Sequence, residues 1–186
     1  MKFVLIGAGG HSRALVETIY ANGGSVAAYV DRRPAEWLDA PQIAEDDPKN
    51  VPAGSIVIGV GAVNPDGLHR RLALMDRYLE AGRELPPLIH PKAIVSPNAT
   101  VEAGAIVLAG AIVQPAVHLC RGVIVNCGSI VTHDSKISAG SHLAPGAVVL
   151  GGCQIGERVM VGAGAVVLVG ASVPNGTLVR AGERYS

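Results

Sequence analysis

The chain has 186 residues, of which 49% are hydrophobic and only 3% are aromatic. Basic and acidic residues balance at 15 each, so no surplus of charge favours binding to nucleic acid or to an anionic membrane surface. No apolar run reaches the length of a membrane span, and a Gly-rich turn interrupts the apolar N-terminus, which predicts a strand instead of a signal peptide. Three cysteines without a C-x-x-C pair fit a reducing compartment, so we expect a cytoplasmic protein.

Residues 1–85 predict a small α/β domain with a parallel sheet, because apolar runs alternate with helical spacing. The predicted elements are a strand at Lys2–Ile6, a helix over residues 12–22, strands at Ser25–Val30 and Ser55–Val60, and a helix from Pro65 to about Ala81. Asn64 is placed to cap the second helix, and Gly82 is placed to end it. Residues 32–54 are polar, contain prolines and show little pattern.

A Gly-rich turn over residues 7–12 joins the first strand to the first helix. It matches the dinucleotide-binding fingerprint only in part, because Ser12 replaces the third Gly. The turn still opens a helix, so its amides can receive phosphate, and Asp31 ends the next strand, where a carboxylate can bond ribose hydroxyls or a base edge. The alternative is a tight structural turn beside a solvated aspartate. We expect a nucleotide site, without a redox cofactor, because the sheet is too short for two mononucleotide-binding halves.

From Val95 to Val179 an aliphatic residue recurs at every sixth position through fifteen hexads, and Gly often follows it by three positions. This period fits neither a helix nor a lone strand and predicts a parallel β-helix of hexapeptide repeats, with three hexads to a coil and about five coils. Cys153 falls at a small inward position. The sequence therefore predicts an α/β Rossmann-like domain at 1–85, followed by an all-β left-handed parallel β-helix domain at 86–186.

No insertion loop interrupts the predicted coils, so the prism has flat faces and no cleft of its own. A neighbouring copy must then complete any active site, and closed threefold symmetry provides three equivalent grooves between prisms. We therefore expect a homotrimer with sites between subunits.

His133 and Asp134 are the strongest local indication of chemistry. Asp134 takes a corner position that Gly fills in neighbouring hexads, and a carboxylate beside an imidazole can orient it as a general base. The alternative is a surface histidine beside a turn-forming aspartate. His142 follows His133 by nine residues, or half a coil, so the two can meet only across a subunit interface. Taken alone, His142 is as consistent with a polar residue at an outward strand position as it is with a site residue.

The other histidines carry less information. His118 points outward with nothing around it that suggests chemistry, His69 lies on the second helix and His90 lies in the connector between the domains. A zinc hydratase site would need three histidines on one ion. His118, His133 and His142 are not separated by multiples of the 18 residues in a coil, so we expect no metal.

Several segments together resemble a known family. They are Val4–His11, Asp31 at the end of its strand, Ile58–Gly61, the connector Leu88–Ser96, Asn126 followed by His133-Asp134, Ser141-His142 and Gly146-Ala147. With these, the chain resembles bacterial nucleotide-sugar acetyltransferases of the hexapeptide-repeat superfamily, which group with sialic acid O-acetyltransferases and bacillosamine-pathway N-acetyltransferases. The resemblance covers nearly the whole chain. It departs after the last coil, where the family's Gly-Val-Pro-Ala segment is missing.

The resemblance implies a role for individual positions. His133 would be the general base, and Asp134 the acidic partner that raises its basicity. A nucleotide-sugar would be bound by Gly9, Gly10, His11, Asp31 and Gly61, with Asn126 near the acceptor group, and acetyl-CoA by His142, Gly151, Ala163 and Ala181.

The function that the resemblance implies is transfer of acetyl from the co-substrate acetyl-CoA to the amino group of a nucleotide-linked amino sugar, in polysaccharide or glycan biosynthesis. The acceptor would attack directly, and backbone amides would stabilise the tetrahedral oxyanion. Two alternatives stay open: an O-acetyltransferase acting on sialic acid or a related sugar, and a non-catalytic β-helix binding protein. The presence of both His133 and His142 argues against the second.

Overall fold

The computed structural model describes all 186 residues, as an α/β unit packed against one face of a three-sided parallel β-solenoid. The four strands of the α/β unit are parallel, in the order β3-β2-β1-β4. Its elements are β1 (Lys2–Ile6), α1 (Gly10–Ala21), β2 (Ser25–Val30), β3 (Gln42–Ile43), β4 (Ser55–Ile58) and α2 (Pro65–Glu80).

The elements predicted for this unit are present, but the strand predicted at Ser55–Val60 ends at Ile58, and the helix predicted over residues 12–22 begins at Gly10 and ends at Ala21. The Asn64 side chain caps α2 by accepting a hydrogen bond from the Gly67 amide at 2.8 Å, and Gly82 follows the helix with a φ of 75°. Strand β3 was not predicted, because its two residues are too few to show a period. It lies at the edge of the sheet and pairs only with β2.

The solenoid contains one two-residue strand in each hexad. The strands are β5 (Leu88–Ile89), β6 (Ile94–Val95), β7 (Thr100–Val101), β8 (Ile106–Val107), β9 (Ile112–Val113), β10 (His118–Leu119), β11 (Ile124–Val125), β12 (Ile130–Val131), β13 (Lys136–Ile137), β14 (His142–Leu143), β15 (Val148–Val149), β16 (Gln154–Ile155), β17 (Met160–Val161), β18 (Val166–Val167), β19 (Ser172–Val173), β20 (Leu178–Val179) and β21 (Arg184–Tyr185).

The second residue of each strand is the aliphatic residue of the predicted series, and these side chains fill the interior of the prism. Cys153 lies two residues before Ile155, at the small inward position of its hexad, and is fully buried in the same core, as predicted. The structure extends the series by one hexad at each end, to Ile89 and Tyr185. The segment predicted as a connector therefore already contains the first solenoid strand.

The three faces of the prism differ in the outward residue of each strand. We call the face of β5, β8, β11, β14, β17 and β20 the helix-covered face. The face of β6, β9, β12, β15, β18 and β21 is the apolar face, because five of its six outward residues are aliphatic. They are Ile94, Ile112, Ile130, Val148 and Val166, and the sixth, in the last strand, is Arg184. The face of β7, β10, β13, β16 and β19 is the polar face.

Helices α1 and α2 of the N-terminal unit pack on the helix-covered face. Ile106 and Ile124 point outward from the prism but are 2% and 0% exposed, because they pack in one cluster with Leu15 and Ile19 of α1. Met75 of α2 lies against the solenoid corners, where a Cβ on Gly104 would come within 2.7 Å of its sulfur. Neither helix has the length and hydropathy of a membrane-spanning helix.

Most solenoid corners are glycines in the left-handed region, with φ between 65° and 72°. Ala116, Asp134 and Arg158 take the same conformation, with φ of 60°, 60° and 55°. This conformation costs a residue with a Cβ about 1–2 kcal/mol. The corner position predicted for Asp134 is thus confirmed, and the turn geometry holds even without glycine.

We predict that Ala116→Gly raises the free energy of unfolding by up to about 1 kcal/mol, because relief of left-handed strain exceeds the extra chain entropy of glycine. Ala103→Gly is the matched control at an exposed corner residue without a positive φ. It should lower the same quantity by about 0.5–1 kcal/mol. Urea unfolding measures both, and equal effects of the two substitutions would contradict the strain argument.

Candidate active site

A cavity of about 400 Å³ opens at the carboxyl ends of β1 and β4. Strand β2 lies on one side of β1 and β4 lies on the other, so the strand order reverses between β1 and β4. In open α/β sheets, ligands bind at the carboxyl ends of the strands at such a reversal. No side chain caps α1. The Ser12 amide donates to the Gly9 carbonyl at 3.1 Å, but the Gly10 and His11 amides have no protein partner and are available to an anionic ligand. The lining residues are Gly7, Gly9, Gly10, His11, Asp31, Gly59, Val60 and Gly61.

Ser12, which replaces the third Gly of the fingerprint, ties the two glycine turns of this cavity together. It is fully buried, and its hydroxyl lies 2.7 Å from the Gly7 carbonyl oxygen and 3.0 Å from that of Gly59. A Cβ on Gly59 would come within 2.4 Å of the same hydroxyl. The serine therefore holds the turns after β1 and β4 in contact.

The Asp31 carboxylate braces the Gly-rich turn from the end of β2. Its two oxygens accept hydrogen bonds from the Ala8 amide at 2.9 Å and the Arg33 amide at 3.0 Å. Burial opposes ionisation, but these bonds outweigh it, and the pKa of Asp31 lies below its usual value. Asp31 is therefore an anion at neutral pH and shapes the cavity edge.

A second cavity of about 530 Å³ continues from the first on the β2 side, and the two share Gly9 and Asp31. Trp37 lines it, with the Arg13 guanidinium 4.6 Å from its ring centroid. The two cavities together form a groove along the end of the sheet. An aromatic wall at one end and free helix amides in the middle suit a nucleotide.

His142 connects this groove to the solenoid. It points outward from the helix-covered face but is only 6% exposed, because the N-terminal unit lies over it. Its Nδ1 lies 2.9 Å from the Ala62 carbonyl oxygen, and its Nε2 lies 3.0 Å from Nδ2 of Asn126. The His11 ring centroid is 6.4 Å from that of His142. The predicted nucleotide turn and two residues of the solenoid therefore meet within one chain.

Both of these histidines are neutral at pH 7. Burial, and then the charge of Arg71, lower the pKa of His11 to about 4, and burial with Arg71 also lowers the pKa of His142. Since the Ala62 carbonyl can only accept, neutral His142 carries its proton on Nδ1 and accepts at Nε2 from Asn126. The Asn126 Oδ1 in turn accepts from the Cys127 amide at 2.8 Å, which fixes the orientation of the side-chain amide.

Arg71 was not among the predicted site residues. Its side chain is fully buried, burial lowers its pKa to about 10, and one nitrogen donates to the Gly122 carbonyl at 2.6 Å. Its other two side-chain nitrogens have no protein partner, and neither has Nε2 of His11. The sequence does contain an indication of this burial. Arg71 shares the spacing of Leu68, Leu72 and Met75, which form the buried side of α2.

His133 and Asp134 lie at the corner between the apolar and polar faces. His133 Nδ1 is 2.8 Å from Asp134 Oδ2, and the side chains are 63% and 67% exposed. The left-handed backbone at Asp134 turns its carboxylate towards the imidazole of the preceding residue. This pairing leaves Nε2 free to exchange a proton. The ring rests on Gly151 of the next coil, where a Cβ would come within 2.9 Å of Nε2.

Apart from His142, which lies within the helix-covered face on β14, the predicted site residues of the solenoid lie along the two edges of the apolar face. Asn126, Ala163 and Ala181 lie on the edge shared with the helix-covered face, after β11, β17 and β20. His133, Asp134 and Gly151 lie on the opposite edge, after β12 and β15. One chain therefore does not bring His133 to Asn126 and His142, which matches the expectation that the two histidines lie on different faces.

The sequence suggested that His118 is an isolated surface residue, but in the structure it contacts an acidic side chain. Its Nε2 lies 2.5 Å from Glu102 Oε1, and although burial opposes it, this bond helps to lower the pKa of Glu102. Possible metal-ligand atoms of Glu102, His118 and Cys120 lie within 4.8 Å of one another, so this is where a metal ion could be held. Neither His133 nor His142 belongs to the group. The expected absence of a metal stays a prediction.

Comparison with known proteins places the chain in a family. The family signature described as Bacterial transferase hexapeptide (six repeats) matches residues 134–168. The acetyltransferase domain of PglB from Neisseria gonorrhoeae FA1090 is 31% identical, with a TM-score of 0.87, over 100% of this chain and 91% of that one. The chain belongs to the bacterial hexapeptide-repeat sugar acetyltransferases. A search of curated protein sequences gave no significant match.

Several structures similar to this acetyltransferase hold ligands, including one of PerB and one of a PglB domain. PerB from Caulobacter crescentus, in complex with CoA and GDP-perosamine, is 30% identical over 100% of this chain and 92% of that one, with a TM-score of 0.87. The gonococcal PglB domain in complex with acetyl coenzyme A is 31% identical over 99% of this chain and 92% of that one, with a TM-score of 0.85. The resemblance drawn from the sequence motifs is thereby confirmed.

We predict that His11 makes the acetyltransferase less stable in mild acid. Because its folded pKa of about 4 lies below the unfolded value near 6.5, the unfolded chain binds more protons between these values, and the free energy of unfolding falls as pH drops. The contribution lost between pH 7.5 and 4.5 is at most about 3 kcal/mol. Urea unfolding at the two pH values measures it.

His11→Gln should remove that part of the pH dependence, whereas His69→Gln should leave it unchanged. His69 is the matched control because it is exposed and its ring hydrogen-bonds only to the Arg158 guanidinium, at 3.1 Å. Equal pH dependence in wild type and His11→Gln would show that the buried imidazole does not resist protonation.

Proposed function

We propose that this enzyme transfers the acetyl group of acetyl-CoA to the amino group of a nucleotide-linked amino sugar. The observation that carries the proposal is the contact between the Gly-rich turn and the solenoid at His11, His142 and Asn126. It puts an anion-binding helix end and the predicted acetyl-CoA residue His142 beside one groove. The PerB complex supports an amino acceptor, because GDP-perosamine is an amino sugar nucleotide bound together with CoA.

The groove has room and chemistry for each part of the acceptor. The pyrophosphate would bind the free amides at the start of α1, next to Gly9 and Gly10. The base would lie in the larger cavity beside Trp37, and the sugar would extend from His11 and Gly61 towards Asn126. His11 and His142 are neutral and so place no positive charge beside the acceptor amine, and Nε2 of His11 has no protein partner.

A second copy of the chain is needed to supply the catalytic general base, His133. The outward residues of the apolar face remain partly exposed, and Ile94 is 66% exposed. Burial of these side chains at about 25 cal/mol per Å² favours association. When this face is directed at a threefold axis, the edge with Asn126 in one subunit faces the edge with His133 in the next. Both residues belong to the same coil, so they would meet at the same height.

The chemistry then needs no covalent enzyme intermediate. The acceptor nitrogen would attack the thioester carbonyl carbon while Nε2 of His133 takes a proton from it. The carbon–sulfur bond breaks as the tetrahedral intermediate collapses, and the proton passes from His133 to the departing CoA thiolate. Asp134 would hold the ring by Nδ1 throughout. Backbone amides along the two edges, at Gly151, Ala163 and Ala181, would bind the pantetheine chain.

We predict that His133→Ala lowers kcat by about 10²–10⁴-fold, because general base catalysis typically contributes that much. Asp134→Asn should cost less, since the imidazole remains and loses only its orienting carboxylate. A thioester-cleavage assay over a panel of nucleotide-linked amino sugars measures both rates and also selects the acceptor. His69→Ala, at an exposed histidine of α2, is the control. Near wild-type turnover by His133→Ala would refute the proposed mechanism.

We also predict that Ile130→Asp dissociates the trimer, because it places a charge in the middle of the apolar face. Gln154→Asp, at the outward position of the polar face, should leave the assembly unchanged. Light scattering at micromolar concentration gives the mass of each variant, and loss of acetyl transfer should accompany dissociation. A monomeric wild-type protein would contradict both the assembly and the shared site.

A further inference from the structure

Gly151 lies directly against the imidazole of His133. It occupies the same edge one coil further on, and the Gly152 amide donates to the His133 carbonyl at 3.0 Å, which sets the two coils in register. A Cβ built on Gly151 would lie 2.7 Å from Cε1 and 2.9 Å from Nε2 of the ring. Contacts this short essentially do not occur at real Cβ atoms, so any side chain here displaces the ring.

The backbone does not require glycine at this position. The left-handed φ of 71° belongs to the next residue, Gly152, whereas Gly151 has no positive φ. His133 and Gly151 are stacked at the same corner of consecutive coils. The coil before His133 has Pro115 at this corner, and the coil after Gly151 has Val169, so the edge accepts side chains elsewhere. The missing side chain is therefore explained by the space that the His133 ring occupies.

We propose that Gly151 is a positioning residue for the His133 imidazole. Its bare surface leaves room for the ring and allows Nδ1 to reach Asp134 at 2.8 Å, which leaves Nε2 to face the acceptor held by the neighbouring subunit. This inference rests on the proposed function, in which Nε2 takes the proton. It is separate from the part that the family resemblance gives Gly151 in binding acetyl-CoA, because it depends on space and not on the amide.

The effect of filling this space falls on catalysis and not on folding. The His133 side chain is 63% exposed, so the ring can rotate into solvent at little cost in stability. Rotation separates Nδ1 from the Asp134 carboxylate and moves Nε2 from its place. Displacement of a catalytic group by about 1 Å can lower a rate by about 100-fold.

The test is Gly151→Ala in the full-length protein. We expect kcat to fall about 10- to 100-fold, with the KM for acetyl-CoA and for the acceptor within about twofold of wild type, because alanine keeps the amide that a cofactor would use. The melting temperature should stay nearly unchanged. Val169→Ala alters the same edge one coil further on and should leave kcat unchanged.

The double variant separates positioning from any other role. In a His133→Ala background, Gly151→Ala should cause no further loss, because the ring that it displaces is absent. If His133→Ala lowers kcat while Gly151→Ala does not, the inference is overturned and the proposed function stands. A higher acetyl-CoA KM in both backgrounds, with kcat unchanged, would assign Gly151 to cofactor binding alone. Full activity of His133→Ala would overturn the proposed mechanism and this inference with it, whereas absence of acetyl transfer by the wild type to any amino sugar of the panel would overturn the proposed function.

Discussion

The packing of α1 and α2 on one outward face of the solenoid is the contact on which the rest of this structure depends. A bare hexapeptide prism has three flat faces and no enclosed site. Here one face is covered by residues of the same chain, with Ile106 and Ile124 buried against α1. The same packing encloses His142 and sets it beside His11 at the end of the α/β sheet. A solvent-facing position thereby becomes part of a neutral, buried hydrogen-bond network.

This packing divides the proposed active site into two halves that one chain cannot join. The nucleotide groove, His142 and Asn126 form one half, on the edge nearest the N-terminal unit. His133, Asp134 and Gly151 form the other, across the apolar face. The asymmetry suits a cyclic assembly, in which each interface joins unlike edges. Of the two faces that the helices leave uncovered, the one between these two edges is the face with aliphatic outward residues. Burial of that face and the joining of the two half-sites therefore require the same assembly.

The sequence was sufficient to predict the solenoid, because a fixed phase over many hexads constrains each inward residue independently of distant contacts. It also placed Asp134 at a corner and Asn64 as a helix cap, both of which are local features. It could not show that His142 is buried or that Arg71 lies near it, since both depend on packing between segments far apart in the chain. It also missed the Glu102–His118 pair, whose partners are sixteen residues apart but adjacent in the stack of coils.

The central claim is that the nucleotide turn and the solenoid edge of one chain hold the same acceptor molecule. Hydrogen–deuterium exchange with CoA and a saturating nucleotide-linked amino sugar tests it most directly. The account predicts slower exchange in peptides that cover residues 7–11 and 59–61, and also in the corner at Asn126–Ser129. Protection confined to the N-terminal unit, with the solenoid corner unchanged, would contradict it.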